Sequence, residues 1–309
     1  MAGDHIIDPS AIHHQWDSGL EPVLSINSGD TVHYNARVAG HGQVWPGARY
    51  EDTRFDFDTI YNLSGPLWIN GADPGDTLQI DVLELQHGDW GWAAFLPELG
   101  LLPDMFPHGY VRTFELRDRA AEFLPGIRIP LAPFLGTIGN HPGGQATISP
   151  FPPHRGCGNI DNRHLTSGST LWVPVHLAGA MFSCGDPHAA QGDGEVSVTA
   201  LEAPLSGSLR FTLHKQTISA PRFQVPATSA AIRTGGYQAT MGLSGDLMEC
   251  SRIAVRAMIE WLVDSHGLSA DDAYLLCSIT GDLRIVEVVD AGVWNVAMTM
   301  PLTIFDRDS

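Results

Sequence analysis

The densest chemistry in this chain lies between Gly185 and Glu195, where Asp186, His188, Asp193 and Glu195 crowd into one glycine-spaced stretch. Asp186 and His188 are two residues apart, as are Asp193 and Glu195. In extended backbone that spacing points both members of a pair to the same side. Gly185, Gly192 and Gly194 permit positive φ and close backbone approach, so the loop can fold the two pairs toward one point. Carboxylate oxygens and an imidazole converging in this way suit a divalent metal, with an acid left over for proton transfer. The same residue types also build ordinary turns, but four ionisable groups in paired spacing exceed what a turn requires. The stretch matches neither H-E-x-x-H nor a D-x-D-x-D-G calcium loop.

The elements that must carry these residues read as mainly β with an α+β C-terminal portion. Turn clusters separate short alternating runs: Asn27-Ser28-Gly29-Asp30 leads into Thr31–Tyr34, and Pro74-Gly75-Asp76 into Leu78–Val82. Val196, Val198 and Ala200 alternate with polar residues, and a turn at Leu205–Gly207 leads into Leu209, Phe211 and Leu213, which reads as a hairpin. Glu195 then falls on the face opposite the apolar set. After residue 216 the period changes. Leu247, Cys250, Ala254, Met258, Trp261 and Leu262 recur at helical spacing, and Gly267 follows as a cap. Ser269 with Asp272 opens a second helix, and Leu283–Val289 reads as a strand. We therefore divide the chain into a mainly-β region, 1–215, carrying the metal site, and an α+β region, 216–309, packed against it as one unit.

Composition limits the partners. A net charge of −18 over 309 residues disfavours nucleic acid and anionic membrane. The acidic start, Met1-Ala2-Gly3-Asp4-His5, leads into no apolar run of signal-peptide type, and no stretch reaches membrane-spanning length. Cys157, Cys184, Cys250 and Cys277 form no C-x-x-C pair, as expected of reduced, buried thiols. The sole lysine, Lys215, sits between His214 and Gln216, a context unlike the lysine of serine or nitrilase-type amidases. There is no G-x-S-x-G elbow and no phosphate loop.

The block from Gly158 to Val196 (GNIDNRHLTSGSTLWVPVHLAGAMFSCGDPHAAQGDGEV) closely resembles the core signature of the acetamidase/formamidase family. Leu63-Ser64-Gly65-Pro66, Gly71–Asp76, Pro133–Gly139, Ala273-Tyr274 and Gly281-Asp282-Leu283 resemble further blocks of it, in family order. The resemblance implies a β-sandwich-like architecture and hydrolysis of short aliphatic amides to carboxylate and ammonia by a cytoplasmic homo-oligomer. The chain departs from the family pattern in three places, one being the acid usual after the first Gly-Asp strand, which is not evident between Asn35 and Gly40. Tyr61 stands where a histidine is usual, and Asn70 where a glutamate is. A different amide, such as a cyclic one, or a non-catalytic ligand- or metal-binding role are the alternatives that these departures open.

On this reading Asp186 and His188 are metal ligands, and Asp161, from the Asn159–Asn162 turn, is the third; its competing role is a turn cap. Glu195 is the general base, and Asp193 can exchange roles with it. Gln191 and Asn159 are candidates to hold the substrate amide or its oxyanion. Zinc is the expected ion, or calcium if oxygen ligands dominate.

Overall fold

The turns at Gly29 (φ 99°) and Gly75 (φ 101°) each release the chain into a strand, and the two strands flank a common neighbour. This is seen in a computed structural model that describes residues 2–117, 119–226, 236–287 and 294–305. Thr31–Ala36 and Thr77–His87 both run antiparallel to Leu205–His214. Thr170–Pro174 extends this sheet beyond Thr77–His87, and Asp4–Ile6 and Arg222–Gln224 form its edges. A second sheet contains Tyr110–Arg117, Trp90–Phe95, Leu201–Glu202, Phe182–Ala190, Phe134–Asn140 and Cys157–Asn159, in that order. Leu63–Ile69 also pairs with Phe182–Ala190.

The two sheets bury their apolar faces against each other. Val32, Ile80, Leu171 and Leu209 of the first meet Leu67, Leu135, Ile138 and Cys184 of the second. Phe211 and Phe182 touch edge to face across the gap, with ring centroids 4.8 Å apart. The architecture is a β-sandwich with helices added at its C-terminal end.

Helix α1, Leu247–His266, begins where the Asp246 carboxylate accepts the Glu249 N–H and ends at left-handed Gly267. Helix α2, Ala270–Thr280, is capped by the Ser269 hydroxyl, which accepts the Asp272 N–H. A three-stranded sheet of Tyr237–Ser244, Trp294–Pro301 and Asp282–Glu287 accompanies them. Their apolar faces join a second core with Phe95, Phe106, Phe114 and Leu201. Val288 and Val289 lie outside the described residues. No helix among the described residues is long and apolar enough to cross a membrane. All four cysteines are buried and free.

The hairpin expected after Glu195 does not form. Residues 191–200 are a loop in which Glu195 (φ 41°) and Val198 (φ 87°) are left-handed. Leu201–Glu202 belongs to the second sheet and Leu205–His214 to the first, so the chain changes sheets between them. The apolar alternation has another cause: Val196 and Ala200 are buried, whereas Val198 is exposed.

Candidate functional site

Phe182–Ala190 runs through the centre of the second sheet and is buried along its whole length. It carries Asp186 and His188. Asp186 is left-handed (φ 51°), so the pair converges through a local twist of the strand and not through plain extended alternation. The backbone of His188 stands opposite Phe134 on one neighbouring strand and Glu202 on the other. Its Nε2 lies 3.4 Å from Asp186 Oδ2 and 3.3 Å from Glu202 Oε2. On the other side of the ring, Nδ1 lies 3.9 Å from Asp161 Oδ1. Asp161 arrives on the loop after Cys157–Asn159 with φ 45°, its N–H donating to Gly136 O. Two overlapping sets, Asp161/Asp186/His188 and His188/Glu195/Glu202, each bring their ligand atoms within 4.8 Å of one another.

Three features would suit this cluster to a cation. Asp161 Oδ1 and Glu202 Oε2 are buried without a hydrogen-bond partner among the described residues, and such atoms are costly to leave unmatched. Gly136 faces the convergence point: a Cβ there would lie 2.6 Å from His188 Cε1, 2.7 Å from Asp161 Oδ1 and 2.9 Å from Asp186 Oδ2. His188 Nδ1 donates to Gln191 Oε1 at 2.9 Å, while Gln191 Nε2 donates to Asp161 O at 2.8 Å. That clamp fixes the tautomer and aims Nε2 at the carboxylates.

The electrostatics follow from burying four carboxyls around one imidazole. Burial pushes the Asp161 carboxyl up to about 7, aided by Asp186 and Glu202 and opposed by His188. Burial also drives Glu195 well above the carboxylate range, reinforced by Asp161, and raises Glu202. Burial alone would depress His188, but the Glu202 and Asp186 carboxylates outweigh it and hold the imidazole well above its usual value. Without a cation, the acids must keep protons that they would otherwise release.

The cluster forms the floor of a cavity of about 350 Å³, to which Asp161, Asp186, Glu195 and Glu202 contribute. Its walls are Ala39, Ile60, Trp92 and Leu96, with Tyr61 and Thr199. Burial raises the Tyr61 phenol, with Asp186 adding to the effect, so it stays protonated. Trp92 comes from the aromatic stretch that follows His87-Gly88-Asp89, and its indole donates to Ala39 O.

The sequence-derived candidates thus separate. Asp161, Asp186, His188 and Glu195 come together. Asp193 does not join them: it faces Arg163 (3.7 Å) and His164 (3.6 Å), and its N–H donates to Asp282 Oδ1. The left-handed turn between the two acids splits them, so their two-residue spacing does not place both on one side. Gln191 and Asn159 do not line the cavity. Gln191 spans His188 and Asp161, and Asn159 binds Thr137, the Tyr61 hydroxyl and Phe151 O. Asn70 is far from the cluster, donating to Asn27. Lys215 pairs with Asp76 and Asp73 at the surface.

Glu202 was missed by sequence reasoning. Its signal was present as a lone acid in the apolar run Ala200-Leu201-Glu202-Ala203, a context that rarely buries an acid without a partner.

Loop 191–200 owes its shape to the C-terminal region. Gly192 N donates to Ser278 O, and a Cβ on Gly192 would lie 1.6 Å from Gly281 O. Gly194 (φ 102°) packs on Leu283, whose N–H donates to Asp193 O. Arg163, almost wholly buried, donates from Nε to Gln191 O and lies 3.5 Å from Asp282.

The comparisons with known proteins bear on the fold and the family. A gamma lactamase from Delftia acidovorans shares the fold with a TM-score of 0.90 at 24% identity, covering 99% of this chain and 94% of that one. An acetamidase from Bacillus halodurans superposes with a TM-score of 0.69 at 26% identity, covering 96% of this chain and 97% of that one. A putative formamidase from Schizosaccharomyces pombe is 27% identical over 268 residues, which is 67% of this chain and 65% of the relative. The chain therefore matches just under two thirds of that curated relative's length. The acetamidase/formamidase family model matches residues 4–150 and 144–307, so the chain belongs to the acetamidase/formamidase family.

Proposed function

We propose that the chain is a metal-dependent amidohydrolase that splits a carboxamide into carboxylate and ammonia. The observation that carries this reading is the convergence of Asp161, Asp186 and Glu202 around the His188 imidazole on the cavity floor, where two carboxylate oxygens lack hydrogen-bond partners among the described residues. One imidazole among carboxylates fits zinc or a similar ion better than calcium, which favours oxygen ligands throughout. A bound divalent cation supplies charge neutralisation and Lewis acidity at that floor. Asp161, Asp186, His188 and Glu202 would hold it, and Gln191 would keep His188 in the ligating tautomer. Glu195 faces the substrate from the loop side. It takes a proton from the attacking water and passes it to the nitrogen as the C–N bond breaks. Ammonia leaves, and the acyl group departs as the carboxylate.

The test is ammonia release from a set of primary amides by protein stripped with a chelator and then reloaded with zinc. Stripping should cost at least ~10³-fold in kcat, with recovery on reloading. Full turnover by the metal-free protein would overturn the proposal.

Asp193 provides an internal contrast. Because it acts only through the loop, Asp193→Asn should lower kcat by no more than about tenfold. A loss as deep as that of a floor residue, measured on the same amide, would give Asp193 a direct part in the chemistry.

A further inference from the structure

Resting on the amidohydrolase reading, we infer that the amide cleaved here carries a bulky apolar acyl group, aryl or alicyclic in size, and not the one-carbon or two-carbon acyl of formamide or acetamide. The cavity holds about 350 Å³, within the range of sites that enclose drug-sized ligands. A water takes about 30 Å³ of liquid volume, so a four-heavy-atom amide leaves most of the chamber wet.

The walls are poor in free polar groups. Thr199 Oγ1 is engaged with both the N–H and the carbonyl of Ala94, and the Trp92 indole with Ala39 O. The Tyr61 hydroxyl accepts from Asn159 Nδ2 and keeps its own hydrogen to donate. Apart from that phenol, what the walls present to a ligand is hydrocarbon: Ala39, Ile60, Leu96 and the face of Trp92.

The mouth says the same. Phe57, Leu99, Phe151 and Val198 line the cavity, yet each is between 37% and 45% exposed. They come from four separate loops and form an apolar rim, with Phe57 and Phe151 in ring contact at 6.0 Å and Tyr61 edge-on to Phe151 at 4.9 Å. Large apolar side chains gathered at the edge of a pocket mark a surface that an apolar ligand covers. The carboxamide thus reaches the floor while the acyl group fills the chamber.

The experiment compares kcat/KM for acetamide, cyclohexanecarboxamide, phenylacetamide and a γ-lactam, with zinc-loaded protein. Each buried methylene is worth roughly fourfold, so phenylacetamide should exceed acetamide by at least ~100-fold. In Ile60→Trp, which fills the chamber, the phenylacetamide-to-acetamide ratio should fall at least tenfold. Acetamide equal to or better than phenylacetamide would overturn the inference, as would a γ-lactam preferred over every open-chain amide. If no amide is turned over, the hydrolase reading falls by itself. Quenching of Trp92 fluorescence then decides the size question: phenylacetamide binding well ahead of acetamide supports a bulky apolar ligand, and equal or no binding refutes it.

Discussion

Adding one methyl group at position 136 should abolish zinc binding and turnover together. Gly136 lies in the strand Phe134–Asn140 with no positive φ, so alanine suits its backbone. The new Cβ would stand within 2.9 Å of His188, Asp161 and Asp186. It would occupy the space in which their ligand atoms converge. Overpacking of this kind costs about 1–3 kcal/mol, which lowers Tm by roughly 2–10 °C and leaves the sandwich folded. The loss should appear as disappearance of the zinc-dependent rise in Tm, which reflects about 2.7 kcal/mol of added stability when the ion is at 100 times its Kd. Activity should drop at least ~10³-fold. A Gly136→Ala protein that still gains stability from zinc would show that the ion binds elsewhere.

Glu195→Gln should show the opposite split, with the metal kept and chemistry lost. Glutamine preserves the volume of a half-buried carboxyl that, without a cation beside it, favours its protonated form. The structural cost is therefore small, and Asp161, Asp186, His188 and Glu202 remain to hold the ion. Removing a proton carrier costs about 10²–10⁴-fold in kcat. Zinc content per chain, measured beside kcat, separates the two variants: Gly136→Ala empties the floor, whereas Glu195→Gln leaves it full and idle. Loss of zinc in Glu195→Gln would make Glu195 a ligand and not the base.

How much of this was readable in the chain varies with the range of the interaction. Helix α1 was legible because its period and Gly267 are local properties. The turns at Gly29 and Gly75 were legible for the same reason. The stretch 195–200 misled because two-residue apolar alternation is also what a loop shows when Val196 enters one core and Val198 stands at a cavity rim. At the site, Asp186 and His188 announced themselves by type and spacing, although a left-handed residue, not simple pleating, brings them together. Glu202 and Gly136 reach the site only through strand pairing, on opposite sides of Phe182–Ala190. Glycine carries no chemistry to read. Its contribution here is a missing side chain, which becomes visible only once its neighbours are in place.

The seating of loop 191–200 on Ser278, Gly281 and Leu283 has a consequence for how the protein is made. Every side chain assigned to the floor has been synthesised once residue 202 is translated, but the surface that sets Gln191 and Glu195 is synthesised some eighty residues later. A nascent chain halted before Gly281 would hold all five floor residues and still lack the shape that makes them act together. Catalytic competence therefore waits until Leu283 has been made, and nonsense truncations within α2 should be silent enzymes even though no floor residue is lost.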